Sequence, residues 1–426
     1  MTLPEDAFYI RRMWSFSRAL DLGLVDEEVE RGFKFAVGQQ HGERVAYIAM
    51  RLGRSLGLHK KELVHLTVAG LLHDIGAMGS FRTHYGNPKL LSKHCLVGSA
   101  IVERFPSGAI LAPAIKYHHE TPRSARSALG VPAAEVPLMA RILSLADQVD
   151  LRLSRRQHTR KERDELLNWI SREKEVLFFS EPAAAFEQLA VKEAFWLDIE
   201  QPDLLQIVLG LLFGNWHVPL TRELETTGFT DELAATFADL IDQKSSFTAR
   251  HSRSVAEVVE RLAEGLGWSE QQRHEIYVAG LLHDLGKLSI PKKILDKQGP
   301  LDASEVDVIR THTYYTHRLL TEAGFPTRMV EWAAHHHERL DGKGYPFALK
   351  DKEIDVGSRL MTIADMFAAL TEDRPYRPAM STTEALDIIQ RGAGTSVDGE
   401  LIVLAKRVLQ GFAPNGTRPD QQRTIT

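Results

Sequence analysis

The stretch Val278-Ala279-Gly280-Leu281-Leu282-His283-Asp284-Leu285-Gly286-Lys287 decides the reading of this chain, because most of it occurs twice. Val68-Ala69-Gly70-Leu71-Leu72-His73-Asp74-Ile75-Gly76 matches Val278 to Gly286 at every position but Ile75. Upstream, His41, Val45, Ala46, Arg51, Leu52, Leu56 and Gly57 have His251, Val255, Ala256, Arg261, Leu262, Leu266 and Gly267 at the same offsets. The period, 210 to 218 residues, is far too long for a solenoid, so the chain carries a duplicated domain. In both copies the apolar residues recur at helical spacing: Val45, Ile48, Ala49, Leu52 and Leu56, then Val255, Val258, Val259, Leu262 and Leu266. Strictly alternating runs are scarce. The fold class expected is all-α, two tandem helical domains joined by a helical connector.

The expected organisation is an N-terminal helical segment over 1–30, a first domain over 31–155, a connector over 156–234, a second domain over 235–412 and a flexible tail over 413–426. The connector region holds Trp196, Trp216 and a basic patch of Arg152, Arg155, Arg156, Arg160, Lys161 and Arg163. That patch reads either as a solvated helix face or as part of a ligand site. The whole chain of 426 residues is long enough for two to three domains. With 43% hydrophobic and 26% charged residues it is an ordinary globular composition, which excludes a disordered chain. A net charge of −5 leaves no broad footprint for a nucleic acid polymer, though it admits a small anionic ligand. Against 18 histidines there is 1 cysteine, which excludes a disulfide framework and a cysteine-based zinc ribbon. Any metal would be held by imidazole and carboxylate. The longest apolar run, Leu204 to Phe213, is too short to span a membrane, and Met1 to Ile10 has no basic, apolar leader pattern. No membrane association and a cytoplasmic location are the expectation.

The polar residues keep step through both copies. His41 to His73 and His251 to His283 are 32 residues, His94 to His118 and His312 to His336 are 24, and His119 to Asp147 and His337 to Asp365 are 28. Only His73 to His94 (21) and His283 to His312 (29) differ, and the extra residues are expected in a loop. Each copy thus offers five histidines and two aspartates: His41, His73, Asp74, His94, His118, His119 and Asp147, then His251, His283, Asp284, His312, His336, His337 and Asp365. Seven such groups suit two divalent transition metals, with an aspartate able to bridge them. Two metals about 3.5–4 Å apart make a phosphoester hydrolase site, because a water they share ionises near neutral pH. Such a site also needs cations to hold the phosphate. Here the copies diverge. The second has Lys287, the first Ala77. The second has Arg374 and Arg377, the first Arg156 and Thr159. After its histidine pair the second has Asp341-Gly342-Lys343-Gly344-Tyr345-Pro346, where a shorter, Ala- and Ser-rich loop is expected in the first.

On these motifs the second copy resembles an HD-GYP domain, a subgroup of the HD superfamily of metal-dependent phosphohydrolases. The match runs through His283 to Lys287, Ile290-Pro291, Lys297 to Leu301, His336 to Arg339, Tyr345-Pro346 and Arg374 to Arg377. The first copy resembles a plain HD domain, and the tandem is similar to phosphodiesterases that also act on cyclic GMP-AMP. The resemblance implies hydrolysis of a cyclic dinucleotide, chiefly cyclic di-GMP, to the linear dinucleotide or mononucleotides, in bacterial second-messenger signalling. It implies two divalent ions per catalytic domain, iron or manganese first, nickel or zinc also admitted. By position, His251, His283, Asp284 and Asp365 would hold one ion, and Asp284, His312, His336 and His337 the other. Asp284 and Lys287 would be catalytic; Lys287, Arg374, Arg377, Gly344, Tyr345 and Pro346 would meet substrate. A homodimer and a GGDEF-type signalling partner are associations it allows.

Three departures stand out. Trinuclear members carry a Glu where this chain has Phe247 and, in the first copy, Val37, which favours a binuclear centre. Thr316 replaces a usual Gly, with an expected effect on the packing of the His312 helix. Ala368 replaces a usual Asp, which removes a polar group behind the ligands and lowers the expected metal affinity. For the first copy three roles stay open: a second catalytic site, a metal-binding regulatory or ligand-sensing module, and a packing module with an idle site. For the whole chain the competitors are a cyclic dinucleotide receptor without turnover, against which Lys287 speaks, and a mononucleotide hydrolase, against which the Gly-Tyr-Pro loop speaks.

Overall fold

The computed structural model describes residues 5–29, 40–77, 88–123, 127–153, 159–214, 228–244, 250–373 and 377–412. Val37, Arg155, Arg156, Trp216, Phe247, Arg374 and the tail over 413–426 lie outside them. Every regular element described is a helix, as expected, and the only extended pairings among the described residues are two isolated bridges. The chain divides into two compact units, Met1–Thr221 and Arg222–Thr426.

The first unit contains α1 (Glu5–Val29), α2 (His41–Ser55), α3 (Lys60–Leu72), α4 (Pro88–Val102), α5 (Gly108–Lys116) and α6 (Leu138–Arg152), followed by α7 (Arg160–Glu173), α8 (Ser180–Ala190), α9 (Glu193–Ile199) and α10 (Leu204–Phe213). The second contains α11 (Gly228–Lys244), α12 (His251–Gly265), α13 (Glu270–Leu282), α14 (Lys292–Leu295), α15 (Ala303–Glu322), α16 (Thr327–Ala334), α17 (Val356–Thr371), α18 (Thr382–Gln390) and α19 (Gly399–Val408). In both units the periodic apolar face is buried: Val45, Ile48 and Leu52 of α2, and Val255, Val258, Val259 and Leu262 of α12. Local signals start the next helix. Ser269 and Gln272 form a reciprocal capping box at α13, and Glu62 accepts from the His59 backbone at α3. Each of these helices stops at its His-Asp pair, where the chain tightens into a 3₁₀ turn, Ile75–Ala77 or Leu285–Ser289.

The structural repeat is longer than the sequence repeat. α1 packs on α2 and α3 as α11 packs on α12 and α13. Asp21 of α1 faces the Gly42 amide at 3.4 Å, and Asp242 of α11 faces the Ser252 amide at 3.3 Å. The hairpin α7–α8 corresponds to α18–α19. Their turns carry the two isolated bridges, Lys174 with Phe178 and Ala393 with Val397. Arg141 of α6 donates to Val136 O and Glu181, as Arg359 of α17 donates to Ile354 O and Asp398. The stretch expected as a connector over 156–234 therefore contains the closing hairpin of the first unit, and the N-terminal helical segment expected over 1–30 supplies that unit's first helix. The compact units part at Thr221, within the stretch expected as a connector. The reason is that α7–α8 keeps its packing role while its residues have diverged from α18–α19.

α9 and α10 also belong to the first unit. Asp198 accepts from the Tyr47 hydroxyl at 2.5 Å and from Arg51 at 3.0 Å, and Arg54 donates to Leu211 O at 3.1 Å. The apolar run 204–213 is a helix burying Leu204, Val208, Leu209 and Leu212, and no described helix is long and apolar enough to cross a membrane. Of the basic patch, Arg152 lies over the Trp169 ring at 3.6 Å and Arg163 pairs with Glu193 at 2.7 Å. Lys161 stands 3.8 Å from Glu165 on the same helix. These pairings suit a solvated, partnered helix face.

Candidate metal centre

In the second unit the seven expected ligands arrive from five places. His251 opens α12, His283 and Asp284 follow α13, His312 lies within α15, His336 and His337 follow α16, and Asp365 lies within α17. Three ring orientations are fixed locally. Nδ1 of His283 donates to Gly280 O at 2.8 Å, that of His312 to Ile309 O at 2.6 Å, and that of His336 to Ala333 O at 2.7 Å. A ring that donates from Nδ1 presents Nε2 as an acceptor. Each Nε2 points to a common centre.

Asp284 stands between two groups of imidazoles. Its Oδ2 lies 3.3 Å from His283 Nε2 and 4.0 Å from His251 Nε2; its Oδ1 lies 3.4 Å from His312 Nε2 and 3.9 Å from His336 Nε2. His251 Nε2 meets Asp365 Oδ1 at 3.0 Å. The ligand atoms of His251, His283 and Asp365 lie within 4.8 Å of one another, as do those of His312, His336 and His337. His283 Nε2 and Asp284 Oδ1 are buried without a hydrogen-bond partner. Buried polar atoms are ordinarily satisfied, so two left without partners at this centre mark a place for a ligand. The donor set, imidazole nitrogen with carboxylate oxygen, fits a divalent transition metal.

The charges agree with that fit. Burial pushes the Asp284 carboxyl up, but His283, Lys287 and His312 outweigh it and hold it well below the ordinary range. Asp365 is likewise held low against its burial by His251. Burial pulls His312 down to about 3 and holds His336 well below its usual value. The site thus keeps its carboxylates ionised and these imidazoles neutral, the protonation states that metal ligation requires. His251 is the exception: burial lowers it, but hydrogen bonds to Asp365 and Glu372 lift it to about 10.

Around this centre the expected substrate residues separate. Lys287 lies at the rim, its ammonium 2.5 Å from Asp284 Oδ2. Tyr345 lies against His337, ring centroids 5.0 Å apart, with the Arg310 guanidinium 5.4 Å from its ring. Arg310 is a cation that sequence reasoning missed; the first copy has Ser92 there, a contrast that would have flagged it. Gly342 takes φ +72°, and a Cβ on Gly344 would come within 2.5 Å of the Glu338 Cα, so the loop needs both glycines. Pro346 sits partly buried beside them. Arg377 is placed differently from the expectation. Its guanidinium donates to Leu370 O at 2.9 Å and Ala369 O at 2.8 Å, capping the C-terminal carbonyls of α17.

The first unit repeats the arrangement. Asp74 Oδ2 lies 3.6 Å from His41 and 3.5 Å from His73, while its Oδ1 lies 3.4 Å from His94. His94 and His118 meet at 3.2 Å, and the His118 and His119 rings are 4.0 Å apart. Asp147 Oδ1 lies 3.4 Å from His41. His41 Nε2, His73 Nε2 and Asp147 Oδ1 are buried without hydrogen-bond partners. Ala77, at the place of Lys287, is buried and offers no cation.

Two readings change, and a third gains its physical cause. The loop after the histidine pair is not shorter in the first copy: Glu120 accepts from the Leu129 and Val131 amides at 2.6 and 3.0 Å, and Glu338 from those of Phe347 and Leu349 at 2.7 and 3.0 Å, nine and eleven residues on in both. The same staple requires the same length; only the Gly, Tyr and Pro are gone. The repeated His-His-Glu triplet was the signal for it. Thr316 does act on the packing of the His312 helix, by tightening it. Buried, it accepts from the Gly286 amide at 2.9 Å and donates to His283 O at 3.1 Å, tying α15 to the His-Asp turn. Ala368 does not leave the ligands unsupported either, because His251 Nδ1 meets Glu372 Oε2 at 3.2 Å.

Residues 38–152 and residues 235–401 each match the family described as the HD domain. The 3'3'-cGAMP-specific phosphodiesterase 1 of Vibrio cholerae is 33% identical over 364 residues, covering 82% of this chain and 82% of that protein. A cyclic di-GMP phosphodiesterase of Thermotoga maritima is 36% identical over 165 residues, 38% of this chain and 45% of that protein. Among solved structures, a cyclic GMP-AMP-specific phosphodiesterase of V. cholerae superimposes with a TM-score of 0.67 at 25% identity, covering 95% of this chain and 98% of that one.

Proposed function

The chain belongs to the HD-domain family, with two HD domains in one chain, and is related over most of its length to the 3'3'-cGAMP-specific phosphodiesterase 1 of V. cholerae; from that premise we propose that it is a metal-dependent phosphodiesterase of cyclic dinucleotides, with turnover in the second unit. Its substrate is 3'3'-cGAMP or cyclic di-GMP, and its product the linear dinucleotide or mononucleotides. The observation that carries this reading is Asp284, whose two oxygens face two separate imidazole groups while Lys287 lies against it.

His251, His283, Asp284 and Asp365 would hold one divalent ion, and Asp284, His312, His336 and His337 the other. Two such ions supply a water ionised near neutral pH and Lewis acidity toward the phosphate oxygens. The chain's own groups do the rest. Asp284 sets the spacing of the two halves. Lys287 places an ammonium at the rim, where it offsets charge gathering on the phosphate. Tyr345, backed by Arg310 and held by the Glu338 staple, offers an aromatic face beside His337 on which a base or ribose can rest. Arg377, tied to the end of α17, acts by holding the helix that carries Asp365.

The first unit has the same ligand geometry, which supports metal binding there too. With Ala77 in place of Lys287 and Ser127 in place of Tyr345 it lacks the groups for the same substrate, so turnover is assigned to the second unit. Iron or manganese as the metal, a homodimer and a GGDEF-type partner belong to the same proposal and rest on the resemblance; a cytoplasmic location is proposed with them. The test is incubation of metal-loaded protein with 3'3'-cGAMP and with cyclic di-GMP. Linear dinucleotide is the expected product. Tight binding without product, under iron, manganese, nickel and zinc in turn, would make the chain a receptor instead.

A further inference from the structure

The two units answer one problem, how to hold the first histidine of the centre, in two ways. In the first unit His41 Nδ1 meets Asp150 Oδ2 at 2.7 Å, and Asp150 is itself held by Arg44, with 3.0 Å from Nη2 to Oδ2. Asp150 lies three residues after the ligand Asp147 on α6. The corresponding position on α17, three residues after Asp365, is Ala368, and the counterpart of Arg44 is Ser254. Both members of the pair are gone. Yet His251 Nδ1 has an acceptor, Glu372 Oε2 at 3.2 Å. Glu372 follows α17 immediately, four residues beyond Ala368. Positions three and seven after Asp365 share a helix face, and the longer glutamate side chain covers the added turn. The Glu372 side chain is only 14% exposed, so it is packed into the site rather than lying on the surface. Arg377 fixes the segment it leaves from by capping Ala369 O and Leu370 O.

We propose that Glu372 is the positioning residue for His251, a relocated substitute for the Asp150 type of residue. Accepting a hydrogen bond from the Nδ1–H of His251, it fixes which ring nitrogen faces Asp365 and makes that nitrogen a better electron donor toward a cation. It touches neither substrate nor ion and acts through the ring. The proposal rests on the reading that these residues hold metal.

The test uses the full chain carrying Asp74→Ala, which removes the first unit's ions from the count, with Mn²⁺ alone as the probe. Titration against a competing chelator, read by electron paramagnetic resonance of free Mn²⁺, gives affinity independently of turnover. Adding Glu372→Ala is expected to weaken Mn²⁺ binding about 10–100-fold. The near-isosteric Glu372→Gln, which keeps an acceptor without the charge, is expected to fall between. The decisive variant combines Glu372→Ala with Ala368→Asp, rebuilding the first unit's arrangement; it is expected to restore affinity to within a few-fold. Undiminished affinity in both Glu372→Ala and Glu372→Gln would overturn the proposal, and so would failure of Ala368→Asp to rescue a folded Glu372→Ala. If the parent chain bound no Mn²⁺ at all, the reading of the centre would fall, and this proposal with it.

Discussion

Asp284 is the residue on which both halves of the centre depend, since each of its oxygens faces a different pair of histidines. Asp284→Ala should release both ions of the second unit and abolish turnover, checked by metal analysis beside a product assay; bound metal at the parent level would contradict the bridging role. Lys287 is different in kind. Lys287→Ala should keep the metal and lower kcat about 10²–10³-fold, because a cation aimed at developing charge acts on the transition state. Metal analysis and steady-state rates on the same preparation separate the two cases. At this scale the sequence was informative about the ligands. The seven positions recur at matched intervals, and in both units they converge in space. Glu372 was illegible because it reaches His251 from a full turn past the expected position. Thr316 was legible as a departure but not in its effect, since a hydroxyl that both donates and accepts at one turn leaves no pattern along the chain.

Among the elements, the loop from Glu338 to Leu349 and the turn after Asp284 set the shape of the site. Glu338→Ala would leave the Phe347 and Leu349 amides without their acceptor, at a cost of about 1–3 kcal/mol. Thermal unfolding should register that cost, and KM should rise more than kcat falls because Tyr345 loses its place. An unchanged KM would mean the loop does not meet substrate. Gly286→Ala tests the turn. A Cβ there would come within 1.9 Å of His312 O, so α15 must move away from the His-Asp pair. A loss of about 1–3 kcal/mol is expected, together with weaker metal binding. The helices themselves were readable from apolar spacing and caps. The loop was misread in the first copy because its composition changed while its staple, Glu120, kept its length.

For the molecule as a whole, the duplication was plain in the sequence only where the site constrains it, from the first histidine to the last aspartate. The outer helices, α1 with α11 and α7–α8 with α18–α19, repeat in space after their sequences have diverged, because a helix hairpin needs only an apolar face and a turn. Two units with one ligand geometry predict two pairs of ions: fully loaded protein should hold about four per chain, and Asp74→Ala and Asp284→Ala should each remove the ions of one unit. The excess of histidine over cysteine takes its meaning at this scale, as one His-Asp constellation present twice, with the lysine proposed to hold phosphate in the second copy only. One measurement is the most direct test of turnover at Asp284: release of linear dinucleotide from 3'3'-cGAMP and cyclic di-GMP by the metal-loaded chain, with Asp284→Ala in parallel. Product from the parent chain and none from the variant is the predicted result; equal product from both, or none from the parent with any of the four metals, would contradict it.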